Sequence, residues 1–322
     1  MIRPEERGRT VHADAFGVAL TFHDDDVELA GLSLPSPARD AAPTSVRHDP
    51  LGLRKRWSST RPTRAREVRE GEDLLLSVDH DPACGYLICA PGVGKAFISP
   101  DGLEVLCAPE MHNEIWQALL VGQVLPSVAT IRGLEVFHAA GVVIGERSYV
   151  LCAASGVGKT SLAAHLVMHG AELLSDDAVA VDDGLIGHPG ATVLHVRELE
   201  LRRLGGGPLP GLRRLGMVTD RATFAPDRPA AARPLGGVYL LERTTGAPEI
   251  ESVPDPSPFA LLGATFNLSV RTSARLVHQL DLCARMAALV PTFRVHIAPD
   301  CSAADLASAL SAHIHEHGAA RV

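Results

Sequence analysis

Residues 153–160 read AASGVGKT and nearly match the phosphate-loop (Walker A) pattern G-x-x-x-x-G-K-[ST]. Gly158, Lys159 and Thr160 fill the last three places, while Ala153 stands where the pattern has its first glycine. Consecutive N–H groups at the start of a helix can surround a phosphate, and the helix dipole favours its charge. In this pattern the lysine reaches the β- and γ-phosphates and the hydroxyl binds Mg²⁺. We therefore predict a site for ATP and Mg²⁺.

The local context fits a phosphate loop, because a strand-like run ending VLCAA precedes it and the helical segment TSLAAHLVMHG follows it. An alanine at position 153 is tolerable if that position needs no positive φ. A Gly-rich turn before a helix is the alternative interpretation. The residues predicted to contact the nucleotide are Ala153, Ala154, Ser155, Gly156, Val157, Gly158, Lys159, Thr160 and Ser161.

Two adjacent carboxylates, Asp176 and Asp177, follow the short strand-like run AELLS. Strand, loop, helix and strand then form a compact βαβ unit, and its strands deliver their carboxyl ends to one edge of a parallel sheet. We predict that Thr160 and Asp176 hold Mg²⁺ and that Asp177 faces the phosphate acceptor. A solvated acidic turn is the alternative interpretation.

His138 lies just before the apolar run that precedes the loop strand, in LEVFHAAGVVIG. In this position it can orient Asp177 or raise its basicity through a hydrogen bond. A histidine near the start of a strand is more often structural when it stands alone. The predicted catalytic residues are therefore Asp177, His138 and Lys159.

Together these residues resemble the kinase domain of the HPr kinase/phosphorylase family. That family has a histidine before a short hairpin, a loop of the form G-D-S-G-x-G-K-S, a helix and a strand that ends in a double aspartate. Residues 138–177 follow the same order and intervals. The resemblance implies a P-loop fold with a central sheet, phosphate and Mg²⁺ binding by residues 155–161, and a proton-accepting Asp177 aided by His138.

The chain departs from the family at two places. Ala153 and Ala154 replace the Gly-Asp of the loop, and ELRRLGG at 200–206 only partly matches the second signature E-I-R-G-L-G, so Glu200 receives no role. The family forms hexamers, so the resemblance raises the prospect of a homo-oligomer. The acceptor, the choice between ATP and GTP and the reverse phosphorylase reaction are not indicated.

The first half of the chain has a different character. It contains short strand-like runs between Val11 and Cys107, a basic Pro/Arg-rich loop over 33–70, and a helix predicted over 110–125 that Pro126 would end. The basic loop is either solvated or a surface for an anionic substrate. This half is similar to the strand-rich leader of HPr-kinase-like proteins of peptide natural-product clusters. Some of those resemble lasso-peptide kinases, which phosphorylate a serine on a small peptide.

We therefore expect an α/β protein with a smaller strand-rich α+β domain over 1–128 and a kinase domain over 129–322. The net charge of −8 gives no reason to expect nucleic-acid binding. The N-terminus lacks a signal-peptide pattern, and charges interrupt the apolar runs before 18 residues, so no membrane span is expected. Six cysteines without C-x-x-C spacing fit a cytoplasmic chain with reduced thiols.

The predicted function is transfer of the γ-phosphate of ATP to a serine or other hydroxyl of a peptide, protein or small molecule. One alternative is a nucleotide-binding regulatory or assembly protein with little or no transfer, for which Ala154 is the best support. Another is an enzyme of the related carboxykinase type, which would need further arginine and metal-ligating residues.

Overall fold

The computed structural model describes residues 10–23, 42–110, 113–154, 156–204, 207–218, 220–227, 230–266 and 269–319. These residues form a mixed α/β fold dominated by an eight-stranded, a nine-stranded and a three-stranded sheet. The predicted fold class is thus confirmed as mixed α/β, and the domain boundary at 128/129 stays a prediction.

The eight-stranded sheet comprises β1 Val11–Ala15, β2 Val18–Phe22, β3 Thr44–His48, β4 Thr63–Glu70, β5 Asp73–Asp81, β6 Gly85–Ala90, β7 Gly94–Ile98 and β8 Glu104–Pro109, with helix α1 Pro50–Trp57 after β3. The order in space is β1-β2-β3-β8-β7-β6-β5-β4, so β4 lies at an edge. The run DAFGVALTF forms a hairpin, because Phe16 and Gly17 turn the chain with φ of 53° and 77°.

The prediction of a loop over 33–70 is wrong for its described part. Residues 33–41 lie outside the described residues, but residues 44–48, 50–57 and 63–70 are regular elements. Asp49 caps helix α1, since its carboxylate accepts the N–H of Gly52 at 2.7 Å. Strand β4 lacks an apolar period because it lies at the edge of the sheet, where one side of its backbone pairs with β5.

The predicted end of a helix at Pro126 is also wrong. The helix continues as α2 Glu114–Leu119, a π turn Leu120–Val124 and α3 Leu125–Ile131. In a regular helix, a proline removes one N–H donor and its ring crowds the carbonyl four residues earlier. The π turn directly before Pro126 is wider than an α turn, and so it accommodates both the missing donor and the ring.

This composite helix Glu114–Ile131 is long and apolar enough to cross a membrane by length and composition alone, with a mean hydropathy of 1.2. Its window is 56% buried inside the protein, where Trp116, Leu120 and Val128 pack into the core. A core helix of a soluble protein has the same properties, so the absence of a membrane span stays a prediction.

The rest of the chain forms strands β9 Glu135–Phe137, β10 Ala139–Ile144, β11 Arg147–Cys152, β12 Glu172–Ser175, β13 Val179–Val181, β14 Ile186–His188, β15 Leu194–Arg197, β16 Leu212–Val218, β17 Arg221–Pro226, β18 Arg233–Arg243, β19 Glu249–Ser252 and β20 Thr292–Ile297. Its helices are α4 Lys159–Met168, α5 Glu198–Arg203, α6 Pro258–Leu262, α7 Ser273–Leu289 and α8 Ala303–Ala319. The three-stranded sheet has the order β15-β17-β16, and the nine-stranded sheet holds the other strands.

The nine-stranded sheet is mixed, so the prediction of a parallel sheet is wrong. Strand β10 lies between β11 and β12 and pairs antiparallel with both, since the turn at Gly145 and Glu146 folds β10 directly onto β11. The strands β11 and β12 nevertheless run parallel to each other. The phosphate-loop candidate and the two aspartates therefore still leave the sheet at the same edge.

Helix α4 packs on this sheet through Leu162, Leu166 and Val167, which are buried in the core. It contacts β10 on one side and α8 on the other. Gly170 follows α4 with φ of 100°, a conformation that suits glycine at a helix end. Ser302 caps α8 by accepting the N–H of Asp305 at 3.1 Å.

Candidate functional site

The predicted phosphate loop spans residues 153–158, between the end of β11 and the start of α4. Gly156 and Gly158 have φ of 82° and 120°, and such a backbone conformation favours glycine. A Cβ at either position would meet open space, so the conformation and not the available space explains the two glycines. Ala153 is not among the described residues with positive φ, which explains why alanine is acceptable at that position. Ser155 lies outside the described residues.

Lys159 is the first residue of α4, and its side chain folds back over the loop. Only 7% of Lys159 is exposed, and its Nζ donates to the Ala153 carbonyl at 2.9 Å. Burial lowers the pKa of Lys159, whereas Asp177 opposes that shift. The ammonium is therefore a largely desolvated cation held beside the loop by the loop's own carbonyl.

A chain of three side chains leads from the loop to the predicted acceptor side. His138 lies between β9 and β10, and its backbone N–H donates to the Ala264 carbonyl at 2.6 Å. Its Nε2 lies 3.3 Å from Lys159 Nζ, and its Nδ1 lies 3.3 Å from Asp177 Oδ1. The Asp177 side chain is 63% exposed. The structure thus brings the three predicted catalytic residues together, and their roles stay predictions.

Asp176 has a different environment from its neighbour Asp177. Only 6% of it is exposed, and its Oδ2 accepts the backbone N–H of His195 at 3.2 Å. Its Oδ1 is buried with no hydrogen-bond partner among the residues that the structure describes. Burial raises the pKa of Asp176 to about 7, although the Thr160 hydroxyl and the His195 amide oppose that shift.

The residues at Asp176 fit a magnesium ion. Asp176 has one buried carboxylate oxygen without a partner among the described residues, and its carboxyl group interacts with the Thr160 hydroxyl. Mg²⁺ prefers such oxygen ligands. Within the described ranges no group of three or more His, Cys, Asp or Glu side chains could hold a metal. Mg²⁺ is commonly bound by one or two carboxylates together with substrate phosphates, so it does not require such a group.

Three cavities meet at the loop and Arg243. A cavity of about 860 Å³ is bounded by His138, Asp177 and the segment 263–266, where Phe266 donates its N–H to the Val136 carbonyl at 2.8 Å. A second of about 290 Å³ is lined by Lys159, Thr160 and several arginines. A third of about 460 Å³ lies between the start of α4 and the start of α8.

Sequence reasoning missed most of the basic residues of the site. The second cavity is lined by Arg197, Arg203, Arg221 and Arg243, together with His195 and Glu200. Arg243 lies at the carboxyl end of β18, the strand next to β11, and that position is a signal that the sequence contained. Arg197 ends β15, Arg221 begins β17 and Arg203 ends α5, and no spacing rule relates them to the loop.

No protein-family model matches the chain, and no curated protein matches it. Among solved structures, the chain is similar to the Hpr(Ser) kinase/phosphatase from Coxiella burnetii. The match has 12% sequence identity and a TM-score of 0.30, and it covers 57% of this chain and 95% of that chain. A likeness at this level indicates only a distant fold relationship, so the function must be argued from the geometry of the site.

Proposed function

We propose that this protein is an ATP-dependent kinase that transfers the γ-phosphate to a hydroxyl group. The observation that carries the proposal is the chain of contacts from Lys159 through His138 to Asp177. It starts at a glycine-containing loop before a helix and ends at an exposed carboxylate in a large cavity. The buried Asp176 beside it supplies a carboxylate oxygen that lacks a partner among the described residues.

The donor pattern assigns a tautomer to His138. An ammonium has no acceptor, so Lys159 donates and His138 Nε2 accepts. A neutral imidazole that accepts at Nε2 carries its proton on Nδ1, and that N–H faces Asp177 Oδ1. His138 is thus a positioning residue in this proposal, and Asp177 is free to accept the proton of an acceptor hydroxyl through its other oxygen.

In this proposal Lys159, the N–H groups at the start of α4 and the arginines of the second cavity bind the phosphates. The positive charges of the lysine and the arginines stabilise the negative charge on the transferred group, which is the main requirement of phosphoryl transfer. Thr160 and Asp176 would hold Mg²⁺, which supplies charge neutralisation at the β- and γ-phosphates when bound. Arg243 lines all three cavities and so lies where nucleotide and acceptor meet.

The cavities divide the substrates between two sides of the loop. The third cavity is lined by Leu162 and His165, which lie farther along α4 than Lys159 and Thr160, so it fits the nucleoside. The first cavity contains His138 and Asp177 and has the volume of a typical small-ligand site. We assign it to the acceptor, which is a peptide, a protein segment or a small hydroxyl compound.

The alternative is a nucleotide-binding regulatory or assembly protein without transfer. Ala154 favours it, because this residue lies in the first cavity where the resembling family has an aspartate. The alternative shares the nucleotide site but needs no reaction at Asp177. The two proposals therefore differ in what the Asp177→Asn variant does to phosphate transfer, and not in what it does to nucleotide binding.

The test uses γ-labelled ATP or GTP, Mg²⁺ and pools of hydroxyl acceptors, with calorimetric measurement of nucleotide affinity. We expect Lys159→Ala to weaken ATP binding about 10- to 100-fold, because a charge-assisted contact is lost. Asp177→Asn should bind ATP like the wild type and transfer phosphate about 100-fold or more slowly. Intact ATP binding without transfer to any acceptor would favour the alternative, and unchanged affinity in Lys159→Ala would reject the loop assignment.

A further inference from the structure

Arg66 differs from the other arginines of the edge strand β4. Arg64 donates to Glu67 at 2.6 Å and also contacts Asp79, and Arg69 contacts Glu67 and donates to the Glu72 carbonyl at 2.7 Å. The side chain of Arg66 is half-buried and has no hydrogen bond or ion pair with any residue that the structure describes. Since no carboxylate of the described residues occupies it, its guanidinium is available to an anionic ligand.

A β-bulge gives Arg66 its orientation. Arg64 pairs with Asp79 and Arg66 pairs with Val78, so Ala65 is an extra residue on β4. Neighbouring residues of β5 point to opposite faces, and Val78 belongs to the buried core. The bulge therefore turns Arg66 to the core face of the sheet while Arg64 stays on the opposite face. Without the extra residue, both arginines would share one face.

On that face Arg66 lines the cavity of about 860 Å³ that also contains His138 and Asp177. It lines neither the cavity at Lys159 and Thr160 nor the one assigned to the nucleoside. Among the other charged residues of this cavity, Glu242 contacts Arg294 at 3.4 Å and Arg243 donates to the Val157 carbonyl at 3.2 Å. Arg66 is thus a cation on the acceptor side that no carboxylate of the described residues neutralises.

We propose that Arg66 binds a negatively charged group, a carboxylate or a phosphate, on the hydroxyl compound that enters this cavity. The acceptor is therefore an anionic hydroxyl compound, and Arg66 determines that specificity. The guanidinium fits either anion because it presents paired N–H donors. Burial lowers the pKa of Arg66, and a bound anion would offset the same desolvation. This inference rests on the proposed kinase function.

The experiment compares matched anionic and neutral acceptors with γ-labelled ATP. Three matched pairs of probes are used. Two pairs differ in carboxylates: serine hexapeptides in which Asp and Glu or Asn and Gln flank the serine, and glycerate compared with glyceramide. The third pair, glycerol 3-phosphate compared with glycerol, differs in a phosphate, so the pairs distinguish the two anions. In the wild type we expect the KM of the anionic member to be about 10- to 100-fold lower than that of its neutral partner. In Arg66→Gln the two KM values should become equal, and Arg66→Lys should keep part of the difference.

Arg64→Gln is the matched control, since it removes an arginine of the same strand on the opposite face and should keep the wild-type KM ratio. Equal KM values in the wild type, or an unchanged ratio in Arg66→Gln, would overturn the inference while leaving the kinase intact. Should Arg66→Gln fail to fold, as judged by thermal melting, the ratio in Arg66→Lys decides. Transfer to none of the probes by a protein that binds ATP would remove the proposed function and this inference with it.

Discussion

The most informative substitution is Asp176→Asn, because it separates the cost of a buried charge from the benefit of metal binding. Burial raises the pKa of Asp176 from its ordinary value of 3.8 to about 7. A raised pKa means that the folded state keeps its proton where the unfolded state has lost it. Stability therefore falls as the pH rises from about 4 to about 7 and is constant above that range.

The ionised Asp176 then costs the metal-free folded state about 4 kcal/mol above pH 7, before the surroundings relax. Relaxation and water entry reduce this, so we expect the Asp176→Asn variant to gain about 2 to 4 kcal/mol at pH 8. The gain corresponds to a melting temperature higher by roughly 4 to 8 °C, and it should vanish near pH 4. The amide oxygen of the variant can still accept the N–H of His195.

The assay is thermal unfolding in a chelator at a series of pH values, repeated with saturating Mg²⁺ and ATP. The wild type should be stabilised by Mg²⁺ with ATP more than the variant is, because the variant lacks the anionic oxygen. A stability difference in chelator that is the same at pH 4 and pH 8 would refute the argument for a buried charge. Equal stabilisation of both proteins by Mg²⁺ with ATP would refute the assignment of Asp176 as a metal ligand.

Three further predictions concern the fold around the site. Arg275→Met should lower the free energy of unfolding by about 3 to 5 kcal/mol, because the buried Glu135 accepts hydrogen bonds from Arg275 at 2.8 and 3.0 Å. The melting temperature should fall more at pH 8 than at pH 5. An equal fall at both pH values would contradict a buried carboxylate. Gly190→Ala should lower the free energy of unfolding, measured with denaturant, by about 1 to 3 kcal/mol, because the new methyl group would overlap Ser175 Oγ. An unchanged free energy of unfolding would contradict that packing. Burial raises the pKa of Cys152 to about 12, so iodoacetamide should label this thiol at pH 8 only after the protein unfolds. Labelling of Cys152 in the folded protein would contradict its burial.

The local part of the site could be predicted from the sequence because neighbouring residues build it. The order of strand, loop, helix and Asp176–Asp177 follows from short patterns, and the hairpin between β10 and β11 places His138 beside the loop. The proximity of His138 to Asp177 depends instead on the pairing of β10 with β12. The mixed pairing of the sheet was missed, since strand periodicity does not report which neighbour lies between β11 and β12. The α/β class did not depend on that detail.

The distant part of the site could not be predicted in the same way. Arg221 and Arg203 reach the phosphate cavity through the packing of the three-stranded sheet and α5, which no spacing in the sequence encodes. The sequence predicts a loop at Arg66 because β4 has no apolar period. The orientation of Arg66 depends on a bulge at Ala65, which no sequence pattern indicates. The helix continues through Pro126 because a π turn accommodates the proline, and a single-residue rule gives the opposite result.

A crystal structure with Mg²⁺ and a non-hydrolysable ATP analogue would test the proposed kinase site directly. We expect the phosphates to contact Lys159 and residues 156–158 of the loop. The metal should lie between Thr160 and Asp176, and the γ-phosphate should face Asp177 and the large cavity. A nucleotide bound elsewhere, or one whose γ-phosphate points away from Asp177, would contradict the proposed kinase site.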